Sequence, residues 1–156
     1  MADLKKVLND EKIQSLKLQP PLTFSKTSPL KEVLTQMKER KKGSVIIVDG
    51  KKTVGIFTER DVLTRVIEPK VALTAPIETV MTPNPKVLKA TDSVAEAIRL
   101  MSGGSYRHIP LVDEGGNATG LLGVRDLIQY LAEHFPWEVY NLPPNPHQVM
   151  ETPDGA

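Results

Sequence analysis

The sequence predicts an α+β fold: two tandem β-α-β-β-α motifs packed sheet to sheet with pseudo-two-fold symmetry. Three observations predict it. First, KTSPLKEVLTQM (Lys26–Met37) aligns with ATDSVAEAIRLM (Ala90–Met101), and SVIIVD (Ser44–Asp49) with HIPLVD (His108–Asp113), each 64 positions on. Second, both copies end alike, in GIFTERD (Gly55–Asp61) and GLLGVRD (Gly120–Asp126); the offset grows to 65 through one extra residue in the second hairpin loop, Glu114–Asn117. Third, each copy passes from apolar residues at helical spacing to a β-branched or apolar run of strand length. Register held over that distance marks an internal duplication. Each copy is too small to bury a sheet face alone, so the two must pack on one another.

The elements follow in order. Asp3–Leu18 reads as a helix within an N-terminal segment 1–20, with Leu4, Val7, Leu8 and Leu16 near one face and Asp3 as its cap. Gln19-Pro20-Pro21 ends it, because proline cannot continue the hydrogen-bond ladder. The first motif spans 21–68. Thr23–Phe24 is a short extended piece. A helix from Pro29 to Arg40 buries Leu30, Val33, Leu34 and Met37, with Thr27 or Ser28 as its cap. Ser44–Val48 reads as a buried strand, Asp49-Gly50 as a tight turn, and Thr53–Phe57 as the returning strand. Thr58 then opens a helix to Ile67. A proline-punctuated connector, 69–85, allows a helical turn at Pro76–Met81 before the second motif, 86–133. The tail, 134–156, is proline-rich; Phe135, Trp137 and Tyr140 predict that Phe135–Leu142 packs on something, with the last residues disordered.

Composition narrows the classes. Of 156 residues, 40% are apolar, enough for one core, and a net charge of +1 gives no global attraction to nucleic acid or anionic membrane. The absence of cysteine excludes disulfides, thiolate catalysis and cysteine metal sites. The N-terminus lacks an apolar signal-peptide core, and no run reaches the roughly 20 apolar residues of a membrane span, so the expected setting is soluble and cytoplasmic. There is no Walker loop and no catalytic triad signature, and His108, His134 and His147 are dispersed. The basic run Lys38–Lys42 reads as a solvated helix end; with no basic face carrying interleaved aromatics, nucleic acid is not an expected partner.

Thr58 and Asp61 admit two readings that do not exclude each other. They form a capping box, Thr58 at the N-cap and Asp61 three residues on. The same geometry offers a hydroxyl and exposed N–H groups to a phosphate, and a carboxylate that can accept bonds from both hydroxyls of a ribose. In the second copy Gly123 replaces Thr58, so the hydroxyl is lost while Arg125 and Asp126 remain.

A tandem β-α-β-β-α pair whose copies end in Gly-h-h-[Thr/Ser]-x-x-Asp resembles a CBS domain pair, or Bateman module, over Leu18–Glu133. The second ending, with Gly123 in the Thr/Ser place, departs from that pattern. The resemblance implies a regulatory module that binds an adenosine-containing ligand (AMP, ADP, ATP, S-adenosylmethionine or NAD), forms a homodimer and signals to an effector protein. It implies no catalytic residue, metal or obligatory cofactor. It implies a first cleft that combines Thr58, Arg60 and Asp61 with Thr82, Lys86, Val87, Tyr106, Arg107 and His108. A second cleft would combine Gly123, Arg125 and Asp126 with Leu18, Lys42, Gly43 and Ser44. Leu18 stands where Thr82 stands, so the second cleft lacks both polar anchors and is expected to be the weaker. Arg107 and His108 could equally be a solvated charge and a structural histidine, and Tyr106 ordinary packing. The alternative function is a dimerisation module without a ligand.

Overall fold

The computed structural model describes residues 4–104 and 106–135. The expectations for Trp137, Tyr140 and the last residues lie outside them, as does the Asp3 cap.

The first motif is built from β1 (Thr23–Ser25), α2 (Leu30–Arg40), β2 (Ser44–Asp49) and β3 (Lys52–Thr58), after α1 (Leu4–Asp10). α3 (Glu59–Asp61) follows and runs directly into a π-helical stretch, Val62–Ile67. After a 3-10 turn at Ile77–Thr79 comes β4 (Thr82–Pro83). The second motif contains α4 (Val94–Gly104), β5 (His108–Val112), β6 (Ala118–Gly123) and α5 (Val124–His134). β1 pairs parallel with β2, β2 antiparallel with β3, and β4 antiparallel with β3, a four-stranded sheet in the order β1-β2-β3-β4. β5 and β6 form a two-stranded antiparallel sheet.

The two motifs meet through neighbouring strands, β2 beside β6 and β3 beside β5. Their hairpin tips are also joined: Thr53 N–H donates to the Gly116 carbonyl at 3.1 Å and Ala118 N–H to the Lys51 carbonyl at 3.0 Å. Gly50 and Gly116 turn those tips at φ +67° and +82°, where a side chain would be strained. Gly55 has a different role. Met81 lies so close over it that a Cβ there would sit 2.3 Å from the Met81 sulfur. A side chain at this position would force the Met81 side chain, just before β4, to move.

Three expectations are corrected. The N-terminal helix stops at Asp10 rather than Leu18; Ile13–Ser15 is a separate 3-10 turn. The reason is pairing with α4's entry: Ile13 N–H donates to the Asp92 carbonyl and Gln14 N–H to the Ala90 carbonyl, both at 2.9 Å. Neither Thr27 nor Ser28 caps α2; Pro29 occupies the N-cap and makes no side-chain bond. Its counterpart Ser93 does cap α4, accepting from Glu96 N–H at 3.1 Å. Finally, the first strand of the second motif shrinks to a single parallel bridge between Leu88 and Leu111. In the first motif Ile46 N–H donates to the Leu22 carbonyl at 2.9 Å. The equivalent donor in the second motif would be Pro110, which has no N–H.

There are two cores, and each borrows from the other repeat. Leu30, Val33, Met37, Val45, Ile47 and Phe57 of the first motif pack with Ile77 and Val80 from the connector. Val94, Ala97, Met101, Ile109, Leu122 and Leu127 of the second pack with Ile13 and Leu16 from the N-terminal segment. Ile13 and Leu16 precede Ile77 and Val80 by the same 64 positions, so the duplication extends back to residue 13, and its leading segment crosses to the opposite motif.

Candidate functional site

At the end of β3 the chain turns from strand to helix at Thr58, and the capping box closes there. Thr58 N–H donates to Asp61 Oδ2 at 2.9 Å, the Thr58 hydroxyl reaches the same oxygen at 3.1 Å, and Asp61 N–H returns to Thr58 Oγ1 at 3.4 Å. Asp61 is 7% exposed, the one buried charged residue among those described. A buried carboxylate needs donors on both oxygens. The other oxygen, Oδ1, accepts from the Thr82 hydroxyl at 3.2 Å and faces Arg65 Nε at 3.3 Å. β4 makes the Thr82 contact possible, because Thr82 pairs with Ile56 on the edge of β3. Thr58, Asp61 and Thr82 are thus brought together, with Arg65 as a fourth member that sequence reasoning did not single out. Its spacing, four residues after an acid at a helix start, was the available signal.

The second motif's end is plainer. Gly123 N–H donates to Asp126 Oδ2 at 2.7 Å, and that is the one hydrogen bond on this carboxylate among the described residues. No hydroxyl completes the box, as the glycine implied. Leu18, at Thr82's place, packs against the second motif's core instead of reaching a carboxylate.

His108 opposes Gly123 across the β5–β6 pair, and Val124 N–H donates to the Arg107 carbonyl at 2.9 Å. Arg107 and His108 therefore flank their own motif's Gly123–Asp126, just as Gly43 and Ser44 flank Thr58: Ser44 pairs with Thr58, and Glu59 N–H donates to the Gly43 carbonyl at 3.0 Å. Between the two motif ends, Glu59 acts across the motif boundary. Its carboxylate lies over Gly43 and acts electrostatically on His108. Burial pushes the His108 imidazole below its usual value; Asp126 and Glu59 oppose that shift, while Arg107 and Arg125 add to it. His108 is accordingly poised neutral at pH 7, among two acids and two guanidinium groups.

The remaining expected residues sit at the surface. Arg60, Lys86, Arg107 and Arg125 are exposed, and no contact joins them to Asp61. Val87 and Tyr106 are unusually exposed for their types, and Tyr106 lies against the backbone of Gly104. Among the described residues, no group of acids and histidines is placed to hold a metal ion, and no helix is long and apolar enough to cross a membrane.

Comparison with known proteins identifies this arrangement. A family model of the CBS domain matches residues 13–68 and again 77–133. Both matches begin at the 3-10 turns that cross between motifs. The chain is 30% identical over 103 residues to an uncharacterized 17.7 kDa protein of Acidianus ambivalens, covering 65% of this chain and 62% of that one. It is 32% identical over 102 residues to a CBS domain-containing protein of Arabidopsis thaliana, covering 63% and 18%. The chain thus spans less than two thirds of the length of these curated relatives. Among solved structures, it resembles an uncharacterized conserved protein from Pyrococcus horikoshii (TM-score 0.71, 26% identity, 78% of this chain and 92% of that one). It also resembles a CBS domain protein from Pyrobaculum aerophilum complexed with AMP (TM-score 0.69, 26% identity, 78% and 98%). With two family-model matches, a duplicated fold and both motif endings in register, the chain belongs to the CBS domain family as a tandem pair.

Proposed function

We propose that the protein is a regulatory module that binds an adenosine-containing nucleotide between its two motifs and passes the resulting change in motif arrangement to a partner. The observation that carries this reading is Asp61: a buried carboxylate at a strand-to-helix turn, ringed by hydroxyls from Thr58 and Thr82. A carboxylate so placed suits the two hydroxyls of a ribose. Exposed Arg60, Lys86 and Arg107 supply positive charge for phosphate, and Arg presents a planar donor fork to its oxygens. Val87 and Tyr106 offer exposed apolar surface for a purine. The AMP complex of the similar Pyrobaculum aerophilum protein supports the ligand class, with AMP, ADP or ATP the first choices and S-adenosylmethionine or NAD next. The first cleft, with Thr58, Arg60, Asp61, Thr82, Lys86, Val87, Tyr106, Arg107 and His108, is the main site. The second, with Gly43, Ser44, Gly123, Arg125 and Asp126, lacks the threonine hydroxyls and is the weaker.

This reading makes the protein a sensor rather than an enzyme, and a homodimer. Regulation requires the ligand to favour one arrangement of motifs over another. The second reading, a dimerisation module without a ligand, draws on Gly123 and Leu18, which remove the polar anchors from one cleft. Calorimetric titration with AMP, ADP, ATP, S-adenosylmethionine and NAD separates the two. Saturable binding of at least one supports the sensor; silence from all five favours the dimerisation module.

A further inference from the structure

Asp61 is not an open carboxylate. Oδ2 takes the Thr58 N–H and hydroxyl, while Oδ1 takes the Thr82 hydroxyl at 3.2 Å and faces Arg65 Nε at 3.3 Å. A carboxylate has about four acceptor positions, and four donors are already in place. The Arg65 guanidinium is held at a second point, donating from Nη1 to the Met81 carbonyl at 3.0 Å. It reaches there from the π-helical stretch that begins one residue after Asp61. The Arg65 side chain is 45% exposed and that of Asp61 11%, so the arm covers the carboxylate from the solvent side.

The second motif has no such arm. The residue at Arg65's place is Tyr130, which is buried in the core on a regular helix. Asp126 keeps only the Gly123 N–H on Oδ2 among the described residues.

We propose that Arg65 is an internal competitor for Asp61: it takes one acceptor position on Oδ1 and must swing away before a ribose hydroxyl can bond there, and a second ribose hydroxyl needs the Thr58 or Thr82 hydroxyl to turn aside as well. This rests on the nucleotide reading of the first cleft. Binding there is an exchange of donors rather than an addition. Arg65 therefore sets affinity without touching the bound ligand, and it disfavours any ligand too weakly bonded to displace it. An ion pair of this exposure has modest worth, so the effect is a few-fold.

Calorimetry with AMP and 2′-deoxy-AMP on the native chain, Arg65→Met and Arg65→Lys tests this. Arg65→Met keeps the aliphatic stem but no donor, and it should bind AMP roughly threefold to fivefold tighter. Arg65→Lys, which keeps the charge but loses the second hold on Met81, should fall between. 2′-deoxy-AMP, with one hydroxyl fewer to place on Asp61, should gain less. A native chain that binds AMP with equal or weaker binding by Arg65→Met overturns the proposal and leaves the nucleotide reading standing. No heat from AMP, 2′-deoxy-AMP, ATP or S-adenosylmethionine in any of the three proteins overturns both.

Discussion

Asp61 and His108 show how far single residues could be read in advance. The Thr58–Asp61 box was visible because its partners are three residues apart, and a helix start brings such pairs together whatever the tertiary fold. Thr82 could be joined to Asp61 only through the family resemblance, since the contact spans 21 residues and depends on β4 pairing with β3. Arg65 shows only the four-residue spacing from Asp61, which many solvated helix pairs share, and its second hold on the Met81 carbonyl depends on a contact 16 residues away. His108 yields a prediction at this scale. Its folded-state value lies below the usual 6.5, mainly through burial, so the folded protein resists its protonation. That contribution to stability is fully present above pH 6.5 and is lost as the pH falls through the lower folded-state value. Urea unfolding midpoints should hold steady above about pH 7.5 and decline below about pH 6.5, and His108→Gln should flatten the upper part of that decline. An identical decline in His108→Gln would show that His108 does not carry it.

At the scale of elements, helices and strands with a strong pattern were legible and their edges were not. α2, β2 and β3 stand within a residue or so of the expected limits because apolar spacing and the Asp49-Gly50 turn define them. The N-terminal segment was misjudged because Leu16 falls close enough to the helical spacing of Leu4, Val7 and Leu8 to extend α1. The actual task of Ile13 and Leu16 is long-range: they fill the second motif's core, as Ile77 and Val80 fill the first. Ile13 and Ile77 are both fully buried. Ile13→Ala and Ile77→Ala should therefore each destabilise the chain by about 2–5 kcal/mol, the range for deleting a buried isoleucine side chain. Denaturant unfolding checks this. A negligible effect of Ile13→Ala would mean that the leading segment does not cross to the opposite motif.

For the whole molecule, the internal repeat decides both the cleft and the outer surface. Its repeated motifs meet through β2 beside β6 and β3 beside β5, and the Glu59 charge of the first acts on His108 of the second. The repeat also leaves Leu63 and Ile128 at matching positions on the two closing helices, 62% and 60% exposed, with Ile67 beside Leu63 at 60%. Exposed apolar residues repeated on the two closing helices are surface that a second copy of the chain can cover. Sedimentation equilibrium should find a dimer for the native chain and a shift toward monomer for the double variant Leu63→Glu with Ile128→Glu. A native monomer, or a dimer indifferent to both substitutions, would place the interface elsewhere.

Nucleotide binding at Asp61 is tested most directly by calorimetric titration of AMP into the native chain, Asp61→Ala and Asp126→Ala. Asp61→Ala should abolish measurable binding while Asp126→Ala retains most of it. Binding that survives Asp61→Ala and disappears in Asp126→Ala would contradict it.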